Sequence, residues 1–175
     1  MSTISAEADS VRPTANMRIS PEARKKIRNT EAVRYEYYND MGKNKGHCTW
    51  GIGVLAHRGV CTEEELGRRV SAAEVEAEFS RKLREAEDGV RRHIRVELNQ
   101  AQFDALISFT FNTGVEGADD TYKLINNHDF SGAAANMQQF VRVRVKTKKG
   151  VKKVVAGGLV KRRAEEAAPF LDSKK

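Results

Sequence analysis

Three residues in the stretch TEAVRYEYYNDMGKNKGHCTWGIG, numbers 30–53, carry side chains suited to one chemistry. Glu31 stands at the end of a helical pattern. Asp40 follows nine residues later beside a turn, and Thr49 opens a glycine-punctuated hairpin. An acid that keeps its proton, a second carboxylate that is ionised and a hydroxyl that orients water are the parts needed to hydrolyse a glycosidic bond. Taken singly, each residue also fits a plain structural role. A glutamate at a helix end is commonly solvated or ion-paired, an aspartate beside Gly42 is turn chemistry, and threonine favours strands. The combined pattern, E-x8-D-x8-T-x-G-x-G, points to chemistry more strongly than any part. Gly51 and Gly53, lacking side chains, let a polymer approach the hairpin backbone closely.

These residues need elements to hold them. Ser20-Pro21 reads as a helix start, with a capping hydroxyl and proline at the first helical position. In that helix Ala23, Ile27 and Glu31 share one face, which turns Glu31 inward, where desolvation favours the neutral acid. RYEYYND alternates like a strand, MGKNKG is a loop, and HCTWGIGVLAH reads as a short antiparallel pair bent at Gly-Ile-Gly. Thr62 with Glu65 and Ser71 with Glu74 form capping boxes. Val75, Phe79, Leu83, Ala86, Val90 and Ile94 follow a helical period over about 20 residues, a connector between lobes. Asn99 with Gln102 caps the next helix, apolar nearly all round and therefore buried, which Thr113-Gly114 ends. Shorter helices are expected over 120–127 and 131–141. VRVKTKKGVKKVV reads as a basic hairpin turning at Lys149-Gly150, and GLVKRRAEEAAPF as a last helix stopped by Pro169. The fold class is α+β: residues 1–17 a mobile tail, 18–72 an α+β lobe, 73–94 the connecting helix and 95–175 a helical lobe.

The net charge of +7 implies an acidic partner without choosing among nucleic acid, anionic lipid and cell wall. No RNA-binding aromatic pair and no finger-like Cys/His spacing is present, so nucleic acid is not the expected partner. No apolar run is long enough to span a membrane, and the first 17 residues lack the apolar core of a secretory signal. Cys48 and Cys61 flank the hairpin. They could face each other and bond in an oxidising compartment, or remain reduced thiols. His47, Cys48, His57 and Cys61 form a conceivable zinc set, but adjacent strand residues point to opposite faces and the spacing is not a standard zinc pattern. Neither a metal nor another cofactor is expected.

Three segments together resemble a known family. Glu31, Arg34, Tyr38, Asp40, Thr49, Gly51 and Gly53 match an N-terminal motif, ALISFTFNTG at 105–114 a central one, and Gly158, Leu159, Arg162, Arg163 and Glu166 a C-terminal one. The chain resembles the phage-type lysozymes, or endolysins, of glycoside hydrolase family 24, over about Ile19–Leu171. The resemblance implies a lysozyme-like fold that binds peptidoglycan glycan strands between two lobes as a monomer. It implies hydrolysis of the β-1,4 bond between N-acetylmuramic acid and N-acetylglucosamine. Glu31 would be the general acid, with Asp40 and Thr49 handling the water. Leu55 would line the cleft from the hairpin, and Phe111, Asn112, Thr121 and Asn136 from the helical lobe. Arg162 or Arg163 would pair with Glu31, Arg162 being the nearer match. Such a protein would be made in a bacterial cytoplasm and reach the periplasmic wall through a holin or another export route. A lytic transglycosylase on a similar fold and a secreted antibacterial muramidase effector stand as alternatives. A non-catalytic wall-binding or nucleic-acid-binding module is a third. The chain departs from the family pattern in a longer Asp40–Thr49 loop, in Ala32 where glycine is common and in lacking a tryptophan in the helical lobe. The basic segment 142–155 reads as an insertion, suited to anionic wall polymers or outer-membrane lipid.

Overall fold

The computed structural model describes residues 13–172. Helix α1 (Pro21–Thr30) begins where expected: the Ser20 hydroxyl accepts the Ala23 amide, and Pro21 takes the first turn. Strands β1 (Arg34–Asn39), β2 (Cys48–Gly51) and β3 (Val54–His57) make one antiparallel sheet in the order β1-β2-β3. A one-turn helix, α2 (Glu63–Leu66), and the 22-residue α3 (Ala72–His93) both open on complete capping boxes. Four further helices follow: α4 (Gln100–Thr113), α5 (Asp119–Asn126), α6 (Phe130–Met137) and α7 (Gly157–Leu171). The pair β4 (Arg142–Thr147) and β5 (Gly150–Val155) stands between α6 and α7 as a separate two-stranded sheet.

One hydrophobic cluster runs through the molecule, from Ile27 and Ile52 to Phe170. Helix α3 supplies its spine. Val75, Phe79, Leu83, Ala86 and Val90 are all buried, as is Ile94 at its C-cap, because a 3.6-residue period stacks them on one side. Gly89 lies on the same buried side, and a Cβ there would meet the Val115 side chain at 2.5 Å. That glycine lets the loop after α4 close onto α3.

Several sequence expectations are corrected. Residues 13–17 are not a detached tail. Thr14 is buried with its hydroxyl on the Ile94 carbonyl at 3.2 Å, Arg91 holds the Met17 carbonyl at 2.9 Å, and Met17 packs on the core. Residues 1–12 of the expected tail lie outside the described residues. Helix α1 does not belong to the sheet's lobe alone. Its polar anchors reach the helices instead: Ser20 to Asp104 at 2.6 Å, Lys26 to Glu165 at 2.6 Å and Arg28 to Glu76 at 2.6 Å. Helix α4 is not apolar all round. Asp104, Ser108 and Asn112 recur every four residues and form a polar stripe whose bonds go to Ser20, Glu166 and Arg163. Helix α6 ends at Met137, four residues early, and the basic hairpin turns at Lys148-Lys149, one residue earlier than expected. Pro169 does not stop α7. The helix runs on through it to Leu171, and the Asp172 amide still closes on the Ala168 carbonyl at 3.1 Å.

Candidate active site

Glu31 is the C-cap of α1 rather than a residue of its helical stripe; its backbone is extended, φ −84° and ψ 121°. The chain turns there out of the helix toward β1. The carboxylate is directed at α7, where Arg162 Nη1 lies 3.7 Å from Oε1, the two side chains being only 14% and 17% exposed. Between the two arginine candidates for Glu31, the geometry therefore selects Arg162.

Arg162 is held from behind. Its Nε donates to Glu166 Oε1 at 3.0 Å, and its Nη2 donates to the Ser108 carbonyl at 3.2 Å. Glu166 is buried and also takes the Ser108 hydroxyl at 2.6 Å and Arg163 Nη1 at 2.5 Å. Arg163 is fully buried, bonds Asn112 Oδ1 and lies over the Phe109 ring. Burial pushes the Glu166 carboxyl above the ordinary carboxylate range, against the pull of Arg163, the Ser108 hydroxyl and Arg162. Burial likewise draws the Arg163 guanidinium below its usual value, opposed by Glu166. Arginine's ordinary value is high enough that the cation persists. The sequence motif contained Glu166, but Ser108 was missed. Its signal was the four-residue spacing from Asp104 and to Asn112.

Asp40 and Thr49 are brought together by one residue between them. The His47 amide donates to Asp40 Oδ1 at 2.7 Å, while the His47 carbonyl accepts the Thr49 hydroxyl at 3.2 Å and the Asp40 amide at 3.1 Å. The loop from Met41 to Gly46 is thus cinched at its neck by Asp40 and His47. Gly46 makes the cinch feasible: its φ is +83°, and a Cβ there would fall 2.0 Å from Asp40 Oδ1. The extra loop length therefore stands outside the Asp40–Thr49 pair. Thr49 is buried within β2, opposite Tyr38 on one side and Leu55 on the other, and Leu55 is 54% exposed. Gly51 and Gly53 have φ of +60° and +93°, so the tight β2–β3 turn itself requires them.

Cys48 and Cys61 are disulfide-bonded, which ties β2 to the segment after β3. The bond removes both thiolates from the conceivable zinc set. His57 is instead engaged by Glu65, with Nε2 2.9 Å from Oε1. The Glu65 carboxylate and the Arg58 carbonyl hold the imidazole above its ordinary pKa, the carbonyl contact being the larger cause.

The helical-lobe candidates divide. Asn112 joins the arginine network. Thr121 and Asn136 form their own pair between α5 and α6, the Thr121 hydroxyl donating at 2.6 Å. Phe111 is only 3% exposed, packed on Phe79 and under the Lys82 ammonium, so its ring supports the wall of the site rather than its surface. A cavity of about 440 Å³ lies between α1, α4 and α7, bordered by Ile27, Ala105, Arg162 and Glu166. Arg162 borders it, but neither Glu31, Asp40 nor Thr49 lines it.

A small sheet, a long connecting helix and a helical lobe, with an acid at the first helix's end facing an arginine of the last, define a lysozyme-like protein. Residues 28–166 match the phage lysozyme family, and the chain belongs to it. It is 32% identical over 155 residues to the endolysin of Bacillus phage B103, covering 89% of this chain and 54% of that one. The chain thus spans about half the length of that relative. Among solved structures, the endolysin from Escherichia coli O157:H7 phage FAHEc1 superposes with a TM-score of 0.66 at 31% identity, over 90% of this chain and 96% of that one. The muramidase domain of SpmX from Asticcacaulis excentricus gives 0.64 at 27% identity, over 88% and 97%.

Proposed function

We propose that this protein is a muramidase that hydrolyses the β-1,4 bond between N-acetylmuramic acid and N-acetylglucosamine in peptidoglycan. The observation that carries the reading is the half-buried Glu31 facing an arginine that the Glu166–Ser108 network fixes in place. Glu31 delivers its proton to the leaving glycosidic oxygen. Asp40 is exposed and has Oδ1 on the His47 amide, and its Oδ2 draws a proton from water. The Thr49 hydroxyl hydrogen is spent on the His47 carbonyl. Its oxygen is then left to accept a hydrogen bond from that water and orient it. Leu55 and Asn112 contact the glycan strand at the edges of the site, and Asn136 contacts it from α6, held in place by the buried Thr121 hydroxyl. The protein acts as a monomer and without a cofactor.

The site of action is the periplasmic wall. The disulfide between Cys48 and Cys61 fits an oxidising compartment. Among the described residues no helix is long and apolar enough to cross a membrane. A holin or another export route delivers the protein from the cytoplasm where it is made.

The test is mass spectrometry of muropeptides released from purified peptidoglycan. The wild type should release fragments ending in reducing N-acetylmuramic acid, and Glu31→Gln should release none with an unchanged circular dichroism spectrum. Anhydromuramic ends would replace hydrolysis with transglycosylation. Undiminished release by the variant would remove Glu31 from the chemistry.

A further inference from the structure

We infer that the β4–β5 hairpin is a docking surface for an anionic lipid bilayer. The segment RVRVKTKKGVKK, residues 142–153, holds seven cations and supplies no acid to neutralise them. The register then sorts the side chains. Arg142, Arg144 and Lys146 pair with Val155, Lys153 and Val151, and directly opposed residues of an antiparallel pair share a face. One face therefore carries four cations with two valines set among them. Those valines are the most exposed large apolar residues of the hairpin, Val151 at 63% and Val155 at 55%. The hairpin joins no other strand of the described residues, so it projects from the body between α6 and α7.

The valines decide the class of partner. A soluble polyanion would be met by charge alone and would gain nothing from apolar groups among the cations. A bilayer interface takes both, cations at the headgroup phosphates and short apolar side chains at the acyl boundary. The two-residue Lys148-Lys149 turn adds two further exposed cations at the hairpin's tip. The chain runs from β5 through Ala156 directly into α7, which carries Arg162. Docking would thus hold the proposed site at a fixed distance from the membrane and beside the wall. This inference does not depend on the catalytic reading, and its test reads binding alone.

The full chain is co-sedimented with vesicles of phosphatidylglycerol and phosphatidylcholine, and with phosphatidylcholine alone. Binding is expected only to the first and should weaken with salt, since the attraction fades over a Debye length. The variant K146Q/K148Q/K149Q/K153Q should bind about a thousandfold more weakly, each of the four cations contributing near the surface. V151S/V155S should bind about tenfold more weakly while keeping the salt dependence, because only the apolar contribution is removed. Circular dichroism of both variants should match the wild type, since every altered side chain is exposed. Equal binding by the lysine variant would overturn the inference. So would unchanged binding by the valine variant together with tight capture by soluble polyphosphate or duplex DNA, which would make the hairpin a polyanion site.

Discussion

Removing the Cys48–Cys61 disulfide tests how the Asp40–Thr49 segment is held. The bond joins residues 13 apart in sequence. Closing a loop of that size restrains the unfolded chain by about 3 kcal/mol on the chain-entropy scale. In a domain of this size each kcal/mol shifts the melting temperature by about 2–4 °C, so Cys48→Ala with Cys61→Ala should lower it by about 6–12 °C. The native fold should survive, because the Asn39–Cys48 strand pairing and the hydrogen bond from the Cys61 amide to Asn39 Oδ1 at 2.7 Å do not need the sulfurs. Cys48 follows His47 and precedes Thr49, so the loosened variant should also lose turnover with little change in peptidoglycan binding. Differential scanning calorimetry of wild type and variant, each with and without dithiothreitol, separates the causes. Reductant should bring the wild type down to the variant and leave the variant unmoved. A variant melting within about 2 °C of wild type would refute the entropic reasoning. An equal fall of both proteins in reductant would place the effect outside the disulfide.

Gly46→Ala should destabilise the protein by about 1–3 kcal/mol, because the position needs a positive φ and the new methyl collides with Asp40; chemical denaturation reads the loss, and hydrolysis should fall with it. Ser108→Ala should cost about 1.5–3 kcal/mol in the same assay, the hydroxyl being a short donor to a buried carboxylate, and should move the Glu166 carboxyl still higher when followed by carbon-13 NMR. His57 should titrate above the free imidazole value in proton NMR, and Glu65→Gln should bring it partway back, the Arg58 carbonyl contact remaining. The sign follows from the raised pKa: stabilisation from His57 is fully present below its unfolded value and is lost as pH rises through the folded one. A His57 resonance that titrates at the free value would remove that link.

Local signals in the chain carried much of the architecture. Capping boxes at Thr62, Ser71 and Asn99 mark helix starts because a side chain three residues away satisfies the free amides, which is a purely local event. The period of Val75 through Ile94 predicted a buried face, and all six residues are buried. Signals failed where a distant partner decided. Thr14 reads as part of a polar tail, yet it finds the Ile94 carbonyl eighty residues on. Pro169 reads as a stop, yet α7 runs through it to Leu171, and the Gln102 side-chain amide donates to its carbonyl at 3.3 Å. Ser108 reads as one polar residue in an apolar helix, and only the approach of α7 shows what it bonds.

The same division holds at the candidate site. By itself the sequence determined the residue types and their order: an acid at a helix end, a carboxylate before a loop, a threonine at the start of a hairpin and two adjacent arginines near the end. Spacing along one chain determines which side chains share a helix face or a strand face. It does not determine which faces meet, because that depends on how helices separated by more than a hundred residues pack. The tertiary structure alone decided that Arg162 faces Glu31 while Arg163 turns into the core beside Asn112. It also decided that one backbone residue, His47, holds both Asp40 and Thr49, and that the two cysteines lie close enough to bond.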